Sequence, residues 1–173
     1  MSTEIVKLIS EEEIKAKIKE IAGVINKDYE GKDLHLICVL KGGVFFYTEL
    51  AKEITIPVTF DFISVRSYES ATETTGLVNI MKDLEDPIEG RDVLLVEDIV
   101  DSGYTLRYLM ELFKSRNPAS VKLCTLLNKH SRRIVDIEPE YSCFDVTDVF
   151  VVGYGLDYDQ KYRNLPYIGY LNI

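Results

Sequence analysis

Two acidic residues and a short polar loop follow an apolar stretch near the middle of the chain. Residues 93–96 are all apolar, which is the pattern of a strand buried on both faces of a parallel sheet. Glu97 and Asp98 come directly after this strand, and Asp-Ser-Gly-Tyr-Thr follows at residues 101–105. From Leu106 onward, apolar residues recur at the spacing of a helix face. The chain therefore places carboxylates and a glycine-containing loop between a central strand and a helix N-terminus.

This loop has the chemistry of a phosphate site. A helix N-terminus offers unpaired N–H groups and partial positive charge, glycine lets a ligand approach the backbone, and Ser102 and Thr105 add hydroxyl donors. Glu97 and Asp98 would repel a bare phosphate, but carboxylates accept hydrogen bonds from sugar hydroxyls and bind Mg²⁺. Together these residues predict a sugar phosphate ligand with a metal ion. A surface turn in which Asp and Ser cap the helix would use the same residues.

The composition predicts one globular domain. The chain has 173 residues, 46% of them hydrophobic and 28% charged. A net charge of -9 argues against a nucleic-acid partner, and it requires any polyanion site to supply its own cations and backbone donors. No apolar run is long enough to span a membrane and the N-terminus lacks signal-peptide features, so we expect a cytoplasmic protein without a membrane partner. The three cysteines lack metal-ligand spacing and are expected to be buried free thiols.

Strand and helix patterns alternate along the rest of the chain. A capping box at Ser10 and Glu13 begins a helix, and residues 34–40 form an apolar strand that leads into Lys-Gly-Gly and a second helix. The polar stretch 66–76 separates two strand patterns that are expected to pair. Residues 121–127 form a further strand. This alternation predicts a mostly parallel sheet covered by helices.

The sequence VLLVEDIVDSGYT resembles the phosphoribosyl pyrophosphate (PRPP) motif of type I phosphoribosyltransferases, and EDIVDSGYT is closest to their hypoxanthine-guanine branch. Three further segments resemble the same family in the expected order. They are Leu-Lys-Gly-Gly at residues 40–43, Ser-Tyr at 67–68, and FVVGYGLDY from Phe150. The resemblance covers about residues 34–170.

The resemblance implies an α/β fold, a mostly parallel twisted sheet with helices on both faces plus a small hood subdomain. We expect one domain over residues 1–173, with a core at about 30–130 and a hood formed by the N-terminal segment and by residues from about 131 to 173. Residues 66–76 would be a flexible lid. Phosphoribosyl transfer passes through an oxocarbenium-like centre that water would capture, so the site must exclude solvent during the reaction.

The resemblance also implies a role for individual residues. PRPP would be bound by Glu97, Asp98, Asp101, Ser102, Gly103, Tyr104 and Thr105. Pyrophosphate would be bound by Leu40, Lys41, Gly42, Gly43 and Arg163, in a loop that commonly has a cis or strained peptide after Leu40. The purine would contact Lys129, Phe150, Val151 and Asp157; Mg²⁺ would be held by Glu97, Asp98 and Asp157; and the lid would contribute Ser67 and Tyr68. Asp101 would exchange a proton with purine N7.

The implied reaction is purine salvage: PRPP and a 6-oxopurine base, hypoxanthine or guanine, give a nucleoside monophosphate and pyrophosphate. Lys129 favours a 6-oxopurine because an ammonium donates to a carbonyl oxygen and accepts nothing from an amino group. A PRPP-binding regulatory protein without catalysis, or an enzyme that prefers xanthine or a pyrimidine, are the alternatives. Relatives imply a homodimer or homotetramer. The segment 134–147 departs from the family, and we expect it to have no effect on catalysis.

Overall fold

The computed structural model describes residues 4–70 and 73–172, without the side chains of residues 68–70 and 73–76. The helices span Glu11–Asp28 (α1), Val44–Glu53 (α2) and Tyr104–Lys114 (α3), and a 3₁₀ helix spans His130–Arg132. The strands span Ile5–Ile9 (β1), Leu34–Leu40 (β2), Val58–Ser70 (β3), Glu73–Lys82 (β4), Asp92–Val100 (β5), Ser120–Asn128 (β6), Tyr141–Asp145 (β7), Val151–Val152 (β8) and Ile168–Leu171 (β9). Within the described part of the chain, no helix is both long and apolar enough to cross a membrane.

Six strands form the main sheet, in the order β4-β3-β2-β5-β6-β7. All neighbours in this sheet are parallel except β3 and β4, which are antiparallel. The predicted mostly parallel α/β sheet is therefore confirmed. Because β2 and β5 are adjacent at the centre, the loops that follow them lie side by side at the carboxyl edge of the sheet, where open α/β sheets bind ligands.

Alternate residues of the central strands pack on opposite faces of the sheet. On one face, strand residues such as Leu36 and Val96 pack in a cluster with Ile18 of α1 and Phe46 of α2. On the other face, residues such as Leu95 pack in a second cluster with α3 residues including Leu106, Leu109 and Phe113. Helices thus cover both faces, as predicted, and the three cysteines are buried free thiols.

A separate three-stranded sheet, in the order β1-β9-β8, joins the two ends of the chain as an antiparallel hood. The expected start of the hood at about residue 131 is wrong, because β7 pairs with β6 as the edge strand of the main sheet. Tyr141 and Cys143 alternate inward along β7 and are buried in the core beside α1. The main sheet therefore extends through residue 145, and the N-terminal segment contributes β1 alone to the hood.

The stretch 66–76 is largely strand and not the polar loop that we expected. β3 continues to Ser70 and β4 begins at Glu73, and the two strands pair from Ser64 with Lys82 to Ser70 with Glu73. The pairing of these strands is confirmed. Composition was misleading here because Thr and Tyr are common in strands as well as in polar loops. Residues 71 and 72 and the Tyr68 side chain lie outside the described residues, so the lid stays a prediction.

Candidate active site

One cavity of about 270 Å³ lies at the carboxyl ends of β2 and β5. The predicted site residues that line it are Leu40, Gly42, Glu97, Asp98, Asp101, Ser102, Gly103, Thr105 and Arg163. Apolar side chains that sequence reasoning did not single out, including Val65, Ile99 and Leu106, complete its walls. The acids, the phosphate-type loop and the second glycine loop therefore face one shared space.

The loop at residues 101–105 has the geometry of a phosphate cradle. Gly103 has a left-handed backbone (φ 90°) and caps α3, whose first turn leaves N–H groups without intrahelical partners. A Cβ at Gly103 would lie 2.6 Å from Ile137 Cγ2 and 2.8 Å from Val135 Cγ2, so the loop is packed against the segment behind it. Tyr104 begins α3 but does not line the cavity. Its predicted role in binding PRPP is untested.

The Leu40–Lys41 peptide is cis, as the resemblance suggested, and leads into the second glycine loop. A Cβ at Gly42 would lie 1.9 Å from Asp98 Oδ2, and a Cβ at Gly43 would lie 2.7 Å from the Val39 carbonyl. The loop therefore contacts the Asp98 carboxylate directly, and only glycine leaves room for this approach. Lys41 Nζ lies 3.5 Å from Gln160 Oε1, which connects the loop to the C-terminal segment.

Glu97 and Asp98 form a buried acidic pair. Glu97 is 9% exposed, its Oε1 accepts the Asp98 N–H at 2.9 Å, and Asp98 Oδ1 accepts the Ile99 N–H at 2.7 Å. Burial raises the pKa of Glu97 well above its ordinary value, and the neighbouring Asp98 charge raises it further. Burial also raises the pKa of Asp98, while the Arg163 charge acts in the opposite direction. A bound cation would relieve this charge burial.

The donor set fits Mg²⁺ that takes most of its coordination from substrate. Mg²⁺ is commonly held by one or two carboxylates together with substrate oxygens and water. Within the described residues, no cluster of three or more His, Cys, Asp or Glu side chains could hold a metal alone. Glu97 and Asp98 provide the two-carboxylate set. Asp157, the third predicted ligand, pairs instead with Arg163 at 3.2 Å and accepts the Gln160 N–H at 2.8 Å.

Arg163 lies where this cavity meets a second one of about 480 Å³, which is also lined by Lys41, Arg66 and Ser67. Arg163 Nη1 donates to the Gly155 carbonyl at 2.7 Å, and its buried Nε has no hydrogen-bond partner among the described residues. A Cβ at Gly155 (φ 99°) would lie 2.0 Å from the Gly42 carbonyl. The C-terminal segment is therefore packed on the glycine loop, with arginine and lysine positioned for an anionic group.

Three of the predicted purine residues, Lys129, Phe150 and Val151, do not line the first cavity, and the fourth, Asp157, lines the second one. Lys129 is 5% exposed, and its Nζ donates to the Val149 carbonyl at 2.9 Å. Phe150 is the next residue after Val149 and is 43% exposed. Its ring meets the Tyr158 ring edge-on, with 5.5 Å between the ring centroids. Val151 is buried in β8. This arrangement leaves one aromatic face open for stacking beside a buried ammonium group.

Two arginines, Arg132 and Arg133, contact Asp101, and sequence analysis identified neither of them as a site residue. Its Oδ1 is buried without a hydrogen-bond partner in the described structure, and Arg132 Nε lies 3.9 Å from that atom. The Asp101 carbonyl accepts a hydrogen bond from Arg133 Nε at 3.0 Å. No local periodicity marks these contacts, because they join residues about 30 positions apart.

Replacing Glu97 by glutamine is expected to raise the melting temperature of the protein at neutral pH. Because the pKa of Glu97 is raised in the folded protein, its destabilising effect is smallest near pH 4 and grows as the pH rises toward the folded pKa. We expect the melting temperature of Glu97→Gln to exceed that of the parent by about 2–4 °C at pH 7.5, equivalent to about 1 kcal/mol, and by less at pH 4. Thermal unfolding of both proteins without metal at the two pH values measures this difference.

The exposed Glu89 provides the control, since Glu89→Gln removes a charge without relieving burial. Its melting temperature is expected to stay within about 1 °C of the parent. A lower melting temperature for Glu97→Gln at pH 7.5, or an equal shift at both pH values, would contradict the buried-pair account.

Comparison with known proteins agrees with this geometry. The family model of the phosphoribosyl transferase domain matches residues 7–159 of this chain. A hypoxanthine-guanine phosphoribosyltransferase of Streptococcus thermophilus is 52% identical, with 95% of this chain and 91% of that protein covered. The enzyme of the same name from Mycobacterium tuberculosis is 50% identical, with 95% and 85% covered.

Solved structures give the same result. A hypoxanthine phosphoribosyltransferase from Staphylococcus aureus superposes with a TM-score of 0.93 at 47% identity, covering 95% of this chain and 90% of that chain. A hypoxanthine-guanine phosphoribosyltransferase from Bacillus anthracis, with a HEPES molecule in its active site, superposes with a TM-score of 0.93 at 48% identity, covering 96% and 99%.

Proposed function

The chain belongs to the phosphoribosyl transferase family, and from this premise we propose how its crevice carries out purine salvage. The enzyme transfers the 5-phosphoribosyl group of PRPP to N9 of hypoxanthine or guanine and gives IMP or GMP plus pyrophosphate. The observation that supports our assignment of its parts is the shared cavity, in which Asp98, Ser102 and Gly42 face one another. A ligand with a pentose between two anionic groups needs these three kinds of contact in one place.

The 5-phosphate would lie on residues 101–105, where Ser102 and Thr105 add hydroxyl donors to the helix N-terminus. Glu97 and Asp98 would accept hydrogen bonds from the ribose hydroxyls. Their negative charge would also stabilise the positive charge that develops on the ribose ring. These assignments give each polar group lining the cavity a role in holding one part of PRPP.

The purine would stack on Phe150, with the Lys129 ammonium donating to O6 and Val151 backbone groups contacting the ring edge. Lys129 Nζ already donates to the Val149 carbonyl and keeps further N–H donors for a base. Asp101 would take up the N7 proton of the purine, so that N9 attacks C1′ of the ribose. Its buried Oδ1, which accepts no hydrogen bond in the described structure, supports this role.

Mg²⁺ would be held by Glu97 and Asp98 and, in a second position, by Asp157. When bound, Mg²⁺ neutralises charge on the pyrophosphate leaving group. Arg163, Lys41 and the backbone of residues 40–43 would bind the same group, and this helps an acidic protein bind a polyanion. Isothermal titration of PRPP with and without Mg²⁺ tests the metal requirement.

Two further proposals concern the cellular location of the enzyme and its oligomeric state. We propose a cytoplasmic location, supported by three buried free thiols, the state that a reducing compartment maintains. We also propose a homodimer or homotetramer, supported by the exposed Phe45 and Phe60 side chains beside α2. Light scattering on the purified protein measures the oligomeric state.

Shortening the β3–β4 hairpin is expected to uncouple PRPP consumption from transfer. Ser67 and Val78 are paired, so replacing residues 68–77 by Asn-Gly closes the hairpin with a tight turn and removes most of the proposed lid. We expect base transfer to fall about tenfold and PRPP hydrolysis to rise relative to transfer, because water reaches the reacting centre. Parallel assays of nucleotide and of free ribose 5-phosphate measure both. Unchanged values in both assays would contradict the lid assignment.

The experiment that tests the function mixes purified protein, Mg²⁺ and PRPP with one base at a time. The bases are hypoxanthine, guanine, xanthine, adenine and uracil. We expect nucleotide formation with hypoxanthine and guanine and none with adenine, since Lys129 requires a carbonyl oxygen at position 6. PRPP binding without turnover of any base would indicate the regulatory protein. Turnover of xanthine alone would indicate the other alternative.

A further inference from the structure

The Arg133 side chain bonds both to the loop after β5 and to the end of β6. Its side chain is 10% exposed, and its guanidinium bonds in three directions. Nε donates to the Asp101 carbonyl at 3.0 Å, Nη2 donates to the Asn128 side-chain oxygen, and Nη1 donates to the Ile137 carbonyl and to Glu138 Oε1 at 2.8 Å. One rigid planar group therefore joins the loop after β5 to the end of β6.

Backbone hydrogen bonds between β5 and β6 hold these two loops together only where they begin. The β5–β6 ladder ends where Val100 pairs with Asn128, and the Lys129 N–H donates to the Val100 carbonyl at 2.9 Å. Asp101 is the first residue beyond the ladder on one strand, and Lys129 is the first on the other. The Arg133 side chain adds a second connection, from the Asp101 backbone beyond the ladder to the Asn128 side chain at its last pair.

The proposed function makes this separation important. A 6-oxopurine presents O6 and N7 side by side on the same edge. In our assignment Lys129 donates to O6 and Asp101 exchanges a proton at N7. Because the base is rigid, both contacts form together only when the two side chains are the right distance apart. A displacement of about 1 Å at a reacting group can reduce the rate about 100-fold.

We propose that Arg133 is a positioning residue that sets the spacing between Asp101 and Lys129, and thereby holds the N7 and O6 contacts in register. This inference rests on the proposed function. It also gives a role to the segment that follows, since Ile134 N–H and Val135 N–H donate to the Ser102 carbonyl at 3.0 and 3.3 Å. Residues 134 and 135 therefore contact the loop, and the expectation that residues 134–147 have no effect on catalysis stays a prediction.

Arg133→Gln is expected to lower kcat at least about tenfold while KM for PRPP stays within about threefold. The phosphate donors belong to the loop backbone and to Ser102, whose carbonyl is still held by residues 134 and 135. Arg133→Lys is expected to be impaired to a similar degree, since an ammonium cannot bond in three fixed directions. If Arg133→Gln does not fold, Arg133→Lys carries the measurement.

A double-mutant cycle with Lys129→Met distinguishes positioning from general destabilisation. If Arg133 acts partly through Lys129, the loss in kcat of the double variant is smaller than the product of the losses of the two single variants. We expect it to be at least about fivefold smaller. The matched control is Arg116→Gln, which removes a bidentate contact to Asp83 far from the cavity. That control is expected to change kcat less than twofold and to combine multiplicatively with Lys129→Met.

This inference would be overturned if the losses in kcat of Arg133→Gln and Lys129→Met simply multiplied in the double variant. It would also be overturned if the kcat of Arg133→Gln stayed within twofold of the parent. A decrease in kcat that matches the loss in an Arg116→Gln protein of equal thermal stability would also overturn it. A parent protein that makes no nucleotide from any base would overturn the proposed function instead, so the two failures are distinguishable.

Discussion

Replacing Asp101 by asparagine is expected to lower kcat by about 10²- to 10⁴-fold, the range that general acid–base catalysis contributes. Asparagine keeps the size of the side chain but cannot accept the N7 proton. The Asp101 carbonyl, which Arg133 Nε contacts at 3.0 Å, is part of the backbone and is unchanged. KM for PRPP is therefore expected to stay within about threefold, since the phosphate contacts of the same loop persist.

Steady-state kinetics with hypoxanthine and saturating Mg²⁺ measure this separation of kcat from KM. Asp148 is the matched control: it is exposed and pairs with Arg132 at 3.6 Å, so Asp148→Asn tests whether disturbing that arginine alone affects turnover. We expect a change of less than twofold. Equal losses in turnover and in PRPP affinity for Asp101→Asn would remove its catalytic role.

Local sequence patterns were sufficient to predict the central unit of the site. An apolar strand, two acids, a glycine with a left-handed backbone and an amphipathic helix occupy consecutive positions from residue 93 to 113. Each of these features leaves its own signal in the sequence, because strand burial, turn conformation and helix periodicity are all set within a few residues. The strand, loop and glycine pair at residues 34–43 were predictable for the same reason.

Contacts between distant residues could not be predicted in this way. Lys41 meets Gln160, and Arg133 meets Asp101, only because the chain returns to the same edge of the sheet. Nothing in the spacing of these residues distinguishes them from solvated surface charges. The extension of β3 and β4 into residues 66–76 was missed for a different reason, since a polar strand and a polar loop can share one composition.

The packing of Gly42 on Asp98 leads to a second large effect: Gly42→Ala is expected to lower kcat/KM for PRPP about 100-fold. The added Cβ would lie 1.9 Å from Asp98 Oδ2 and 2.8 Å from Asp98 Cγ, so one of the two groups must move. The carboxylate cannot rotate freely, because its Oδ1 accepts the Ile99 N–H at 2.7 Å. Movement of either group by about 1 Å would separate the pyrophosphate loop from the acids that hold the ribose.

Gly23 is the matched control for this substitution. It lies within α1 with nothing inside 4 Å of an added Cβ, so Gly23→Ala is expected to leave kcat/KM unchanged and to stabilise the protein by about 0.5–1 kcal/mol. Measuring kcat/KM and the melting temperature of both variants separates a local steric effect from the general effect of an alanine. If Gly42→Ala kept its kcat/KM within threefold of the parent, the loop and the Asp98 carboxylate would tolerate separation. The close approach seen in the structure would then not be required for binding PRPP.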